Sequence, residues 1–391
     1  MRVVIASRIF SPEPAAAAFR LEALARALVA RGHEVEVLTS RPSASQEIAD
    51  PPGVVVRRAR VLRDRSGAVR GYLQYLSFDV PLAVRLLTTR RADAVVVEPP
   101  PTTGAVVRAV CAVRRIPYAY YAGDILADAA QSAGSPRPIV AAVRLLERLS
   151  WSGAARVLSV SATVTARLRD LGVPAGRLEE VGNGIDTTVF SADGEGVVRD
   201  EPYALYAGTA SEVHGAGVFV EAMASVTGMR LVFLGAGVER DALRARAEAI
   251  APGRVEFVDT VPAAETARWL RGARVAVASV KPDGGYGFAF PTKMYAAVST
   301  GTPVLYAGEG PGTAFASSAP LGRAVPHEAD AVAEALRGAR DRAPSPADRA
   351  ELARWARAEL SLGASADRAA DAVERCATMN PNPDSKRSVS P

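Results

Sequence analysis

The feature that most narrows what this chain can fold into is a strand–helix rhythm that runs, breaks once and starts again. "RVVIA" at 2–6 is a short β-branched run. A Pro-rich loop follows, and then "FRLEALARALVARG", with apolar residues at helical spacing and a glycine stop. "HEVEVLTS" is the next strand-like run. Strand, helix and strand in that order make a βαβ unit and imply parallel pairing. The alternation continues through "ADAVVVEP" (92–99), "TGAVVRAVCAVRR", "IPYAYYAGD", "PIVAAVRLLERLSWSGA", "RVLSVS" and "ATVTARLRDLG". At 182–202, "GNGIDTTVFSADGEGVVRDEP" clusters Gly, Asp and Pro and reads as a linker. A second series then opens with "YALYAGT", "GAGVFVEAMASV", "MRLVFLGAG" and "ERDALRARAEAI". It runs on through "RVEFVDTV", "AAETARWLRGA" and "RVAVASV" to "GFAFPTKMYAAVSTGTPVL" (287–305), a loop, helix, turn and strand.

The pattern predicts two successive doubly wound, Rossmann-like α/β domains, over 1–185 and 203–349, joined by 186–202. The length of 391 residues fits two cores. Ala- and Arg-rich helical sequence follows to about 377, and the polar tail 378–391 reads as disordered. The two cysteines, Cys111 and Cys376, cannot make a disulfide framework, which points to a reducing cytoplasm. No segment has the order of a signal peptide or about 18 uninterrupted apolar residues. The expectation is a soluble protein, at most peripheral to a membrane. Of 47 basic residues only Lys281, Lys293 and Lys386 are lysine, and the arginines are spread over many helices. With a net charge of +5 and no basic stripe interleaved with aromatics, nucleic acid is not an expected partner.

In open parallel sheets, ligands bind beyond the carboxyl ends of the strands. That rule places 7–18, 99–104, 121–128, 208–216 and 281–293 on the rim of one central cleft. Anions are favoured at helix N-termini, where unpaired N–H groups point outward. Gly287 to Thr292 are positioned to supply such groups.

Four landmarks carry a resemblance. They are the first strand with its Pro-rich loop and "FRLEALARALVARGHEVEVLT", "VGNGIDTTVF" (181–190), "YAGT…HGAGVFVEAM" (206–223), and "FPTKMYAAVSTGTPVL" (290–305). In order and spacing the chain resembles the GT-B retaining glycosyltransferases of family 4, over nearly its whole length. "GYLQYLSFDVPLAVRLL" (71–87) is similar to members acting on surface-polysaccharide intermediates. The resemblance implies transfer of a sugar from a nucleotide diphosphate sugar, with retained configuration and no metal or other cofactor. It implies a nucleotide-binding second domain, an acceptor-binding first domain, and a C-terminal helix crossing back over about 350–377, for which "ELARWARAELSL" (351–362) is suited.

The departures from the family pattern are informative. The family's Gly-Arg-(x)4-Lys-Gly becomes Gly208, Thr209, His214 and Gly215 here, with Ser211 in the same loop. His214 is either a diphosphate ligand, charged or neutral, or a surface-loop residue. The family's two glutamates, the second of which often holds the ribose, are replaced by Phe288 and Ala296. Lys293 is then the nearest charge, a phosphate contact or a solvated helix position. The His-Asp pair after the fourth strand is Gly123 and Asp124 here, although some polysaccharide-type members carry Arg in the histidine position. Asp124 is a reacting-centre residue or a helix N-cap.

The resemblance thus implies Asp124, His214 and Lys293 as catalytic candidates. Donor contacts are expected from Ala16, Arg20, Gly208, Thr209, Ser211, Gly287, Phe288, Ala289, Phe290, Pro291 and Thr292. For Arg20 a solvent-facing role is the alternative. Acceptor contacts are expected from Glu13, Tyr121 and Asp128. The expected partners are a nucleotide sugar and a small-molecule acceptor, possible chemistries including a thiol, which needs little catalytic help. A polyprenyl-linked acceptor and a catalytically silent nucleotide-binding protein are the alternatives. A homodimer is compatible with the sequence.

Overall fold

The structure, a computed structural model, describes residues 1–13, 15–42, 50–64, 69, 71–132, 134–282 and 290–379. The expected disorder of the tail concerns residues that, from 380 on, lie outside this set. The chain divides into two compact units, Met1–Gly184 with Leu362–Pro391, and Ile185–Ser361.

The first unit runs β1 (Arg2–Ala6), α1 (Ala16–Ala30), β2 (Glu34–Ser40), β3 (Val54–Ala59), α2 (Tyr72–Thr88), β4 (Ala94–Val97) and α3 (Pro101–Arg114). It continues with β5 (Tyr118–Ala122), α4 (Leu126–Ser132), α5 (Arg137–Ser152), β6 (Arg156–Ser159), α6 (Ala162–Asp170) and β7 (Leu178–Glu180). The strands form one parallel sheet ordered β3-β2-β1-β4-β5-β6-β7. Parallel strands covered on both faces need apolar residues at every position. That is why β1 after Arg2, and all of β4 and β5, read as apolar runs, and all their residues are buried. One side of the sheet packs Leu21, Leu24 and Leu28 of α1. The other packs Phe78, Leu82 and Leu86 of α2, Val107 and Val110 of α3, and Trp151 of α5. Strand β3 was not visible as a strand in the sequence. It is the edge strand, with only Val54 buried, and its two arginines break the apolar run.

The second unit runs β8 (Tyr203–Ala207), α7 (Gly217–Ala222), β9 (Arg230–Leu234), α8 (Arg240–Ile250), β10 (Val255–Val258), α9 (Ala263–Gly272) and β11 (Val275–Ser279). Then come α10 (Lys293–Ser299), β12 (Val304–Ala307), α11 (Pro311–Ser318), β13 (Arg323–Val325), α12 (Ala329–Asp341) and α13 (Pro346–Leu360). Its parallel sheet is ordered β10-β9-β8-β11-β12-β13. Helix α13 starts with a Ser345–Asp348 capping box, Pro346 filling the first turn. The last helix, α14 (Leu362–Thr378), belongs to the first unit.

The segment 350–377 is therefore not one crossing helix. Leu352 and Ala356 of α13 are buried with Met294 and Val298 in the second unit's core. Ala369, Val373 and Cys376 of α14 are buried with Leu21 and Leu28 in the first. The chain changes unit at Ser361, whose extended backbone ends α13, so "ELARWARAEL" stays with the second unit. Both cysteines are free and buried, and burial pushes each thiol up to about 12. Among the described residues no helix is long and apolar enough to cross a membrane.

Candidate functional site

The second sheet reverses its strand order between β8 and β11, the topological switch where an open parallel sheet leaves a crevice. A pocket of about 520 Å³ opens here at the carboxyl ends of β8, β9 and β10. Its walls include Gly208 and Thr209 after β8, Gly235 after β9, Thr260 and Val261 after β10, His214, and Phe290 to Lys293 with Ala296 around α10. Gly208 and Gly235 both have positive φ, at +120° and +135°. A Cβ on Gly235 would stand 2.6 Å from the Gly208 carbonyl oxygen, so the two loops meet backbone to backbone.

Lys293 dominates the electrostatics. Its Nζ is out of contact with solvent and has no hydrogen-bond partner among the described residues. It lies 3.6 Å from the centroid of the Tyr206 ring, a cation–π contact, and its stem reaches past Gly208. Burial brings its pKa down from 10.5 to about 7. An ammonium held on a ring face with no carboxylate or carbonyl to bond among the described residues is short of an anion. Tyr206, buried in β8, is itself anchored by donating its hydroxyl to the Thr209 carbonyl at 3.0 Å.

His214 faces the same pocket. Its Nδ1 is 2.8 Å from Ser211 Oγ, and its carbonyl accepts from Ser279 Oγ at 2.6 Å. Burial, and then the charge of Lys293, push the imidazole down to about 4, so without a ligand it is neutral near pH 7. Phe290 is half-buried in an aromatic cluster with Tyr295 and Phe315. Pro291 is buried and Thr292 exposed. Gly287, Phe288 and Ala289 lie outside the described residues. Helix α10 has only seven residues and its Thr292 N-cap makes no side-chain cap bond. The charge facing the pocket is thus that of a side chain, Lys293.

In the first unit the strand order reverses between β1 and β4. Arg20, from α1, bridges this point. Its Nη2 donates to Glu98 Oε1 and its Nη1 to Asn183 Oδ1, each at 2.6 Å. The guanidinium lies 5.4 Å from the Tyr121 ring centroid. Arg20 and Glu98 are both buried, so the solvent-facing alternative for Arg20 does not hold. Burial raises the Glu98 pKa even against Arg20. A Cβ on Gly123 would come within 2.6 Å of Arg20 Nη2. The residue after β5 is small because an arginine already fills the space beside it.

The remaining candidates of this unit are dispersed. Asp124 is exposed and accepts from the Ile125 amide at 2.7 Å. The first amides of α4 bond instead to Glu147, which accepts from Leu126 and Ala127 at 2.6 and 3.3 Å. Tyr121 is a core residue. Asp128 is taken up by Arg167 at 2.6 Å and Arg144 at 3.1 Å, which hold its carboxyl below the usual range. Glu13 pairs with Arg63 at 2.6 Å, and Ala16 is exposed at the start of α1. No group of three or more metal-ligating side chains occurs among the described residues.

Residues 16–184 match the model of the glycosyl transferase 4-like domain. The match lies within the first unit. Solved structures extend the likeness of fold to both units. Anabaena HepE in complex with UDP is 14% identical, with TM-score 0.68 over 96% of this chain and 100% of that one. Sucrose-phosphate synthase from Thermosynechococcus elongatus is 20% identical, with TM-score 0.65 over 97% of each chain. A glycosyltransferase involved in avilamycin A biosynthesis is 17% identical, with TM-score 0.62 over 97% and 98%. At these identities the likeness is one of fold, and that fold is GT-B. No curated protein matches the sequence.

Within this GT-B fold, the structure brings Gly208, Thr209, His214, Phe290, Pro291, Thr292 and Lys293 to one pocket, with Ser211 behind His214. It does not bring Glu13, Tyr121, Asp124 and Asp128 into such a group. Sequence reasoning missed Tyr206, Glu98, Asn183 and Glu147. Asn183 stands inside the "GNGID" landmark, and Glu98 directly follows an apolar strand, the position where sheet-edge ligands gather. Tyr206 looked like any strand aromatic.

Proposed function

We propose that this protein is a glycosyltransferase that moves a sugar from a nucleotide diphosphate sugar to a small-molecule acceptor, retaining the anomeric configuration. The observation that carries the reading is the Lys293 ammonium, desolvated, unbonded among the described residues and facing a pocket at a sheet switch point. A diphosphate brought there restores the lysine to its charged form and receives its hydrogen bonds. In the tautomer whose Nδ1 accepts from Ser211 Oγ, His214 has Nε2–H left to donate to a second phosphate oxygen. Together they replace the family's Arg and Lys. As the sugar–phosphate bond breaks, negative charge grows on the leaving diphosphate, and these donors stabilise it. The departing phosphate oxygen then takes the acceptor's proton on the same face, without a metal or a protein base.

The acceptor is assigned to the first unit, in keeping with its match to the glycosyl transferase 4-like domain. Two neighbours support the donor and the setting: HepE is solved with UDP, and another neighbour serves avilamycin A biosynthesis. Antibiotic-type secondary metabolism in the cytoplasm is the proposed context, with a hydroxyl or a thiol on the acceptor. The test is nucleotide release from UDP-, dTDP-, GDP- and ADP-glucose, with alcohol and thiol acceptors, in wild type and Lys293→Met. Product anomers are read by NMR. The reading fails if no nucleoside diphosphate binds, or if Lys293→Met turns over like wild type.

A further inference from the structure

Helix α10 turns two residues to the pocket of the second unit, Lys293 and, one turn on, Ala296. Three positions along a helix are a rise of about 4.5 Å. With a diphosphate on Lys293, the pentose next to it therefore lies against the Ala296 methyl. That wall is fixed, because Ala296 is buried with Met294 and Val298 in the core behind it. Phe290 beside it is held by Tyr295 and Phe315.

The rest of the lining says which pentose fits. Ile185, Phe190, Leu234 and Val261 are apolar, and the polar side chains are four threonines, His214 and Lys293. Thr209 and Thr292 stand at the phosphate end, beside Gly208 and Lys293, and Thr260 and Thr266 at the β10 and α9 end. Among the described lining residues none carries a carboxylate or a carboxamide. A ribose brings two adjacent hydroxyls, and each needs an acceptor once water is displaced. A 2′-hydroxyl set against a methyl group loses its water and gains no partner, whereas the methylene of a 2′-deoxyribose makes a favourable apolar contact there. We propose that the donor of this protein is a 2′-deoxyribonucleoside diphosphate sugar, and that Ala296 sets the preference for deoxyribose over ribose. The proposal rests on the reading that Lys293 holds the donor diphosphate.

The test is calorimetric titration of the full chain with pairs that differ only in the 2′-hydroxyl: UDP and dUDP, GDP and dGDP, ADP and dADP. In the pair that binds best, the deoxy member should bind about 5- to 100-fold tighter, the range for one hydroxyl buried without a partner. Ala296→Glu puts a carboxylate on the same wall and should reverse the order within that pair. Ala296→Ser adds a single oxygen and covers the case in which the glutamate does not fold, as judged by melting temperature. The serine should bring the two members to within about threefold of each other. A wild-type preference below about fivefold, or one for the ribose member, overturns the proposal and leaves the glycosyltransferase reading in place. So does a folded Ala296 variant with the wild-type ratio. Failure of all six nucleotides to bind overturns the reading of the Lys293 pocket, and this proposal with it.

Discussion

Replacing Lys293 by methionine tests the site through protons as well as through rate. In the free protein the ammonium has been brought from 10.5 to about 7 by burial. That difference corresponds to roughly 5 kcal/mol of disfavoured charge below pH 7. At pH 8 only about one lysine in ten is protonated in the free state. A bound diphosphate brings the group back towards 10.5 or above, so binding at pH 8 takes up about 0.9 proton, and at pH 6 about 0.1. His214 does not confuse this reading, because at about 4 it stays neutral at pH 8 unless its pKa rises by more than four units. Calorimetry of UDP or dTDP binding in two buffers of different ionisation enthalpy measures the uptake directly. Lys293→Met should abolish it and weaken binding about 10- to 100-fold, the loss of one charge-assisted contact. The methionine variant should also melt higher than wild type without ligand. The sign follows from linkage: the unfolded chain binds more protons than the folded one between pH 7 and 10.5, so stability contributed at this position rises with pH. A ligand that binds at pH 8 with no buffer-dependent heat refutes the contact between Lys293 and the diphosphate.

Three further outcomes are expected. His214→Ala should lower turnover about 10²–10³-fold at saturating donor, and unchanged turnover would remove the imidazole from the reaction. Glu147 is pushed up from 4.5 to about 7 by burial, so the folded state holds its proton longer and stability falls as pH rises between those values. Glu147→Gln keeps an acceptor for the α4 amides and should match wild type near pH 4.5 but be more stable by roughly 3 kcal/mol at pH 8, read from urea midpoints; a parallel pH dependence in the two proteins contradicts the assignment. Gly123→Ala should lose about 1–3 kcal/mol, because its Cβ would displace the guanidinium bonded to Glu98; a change below about 0.3 kcal/mol would show that Arg20 moves aside freely.

What the chain alone determined was set by neighbours close in sequence. Continuous apolar runs such as "RVVIA" and "VAVAS", helical spacing and Gly-Pro punctuation sufficed for two parallel sheets and the break between them. The α10–turn–β12 passage stood out for the same reason, as did the glycine frame of Gly208 and Gly215. What only the tertiary structure decided depends on which strands become neighbours after their crossovers. Burial beside Tyr206 turns Lys293 from one cation among 47 into an anion-seeking group near neutrality. Arg20 is committed to Glu98 and Asn183, Glu147 rather than Asp124 serves the first amides of α4, and one face of α2 is left in solvent. Desolvation is a property of the packed surroundings and not of the local run of residues, so no spacing rule could have revealed these roles.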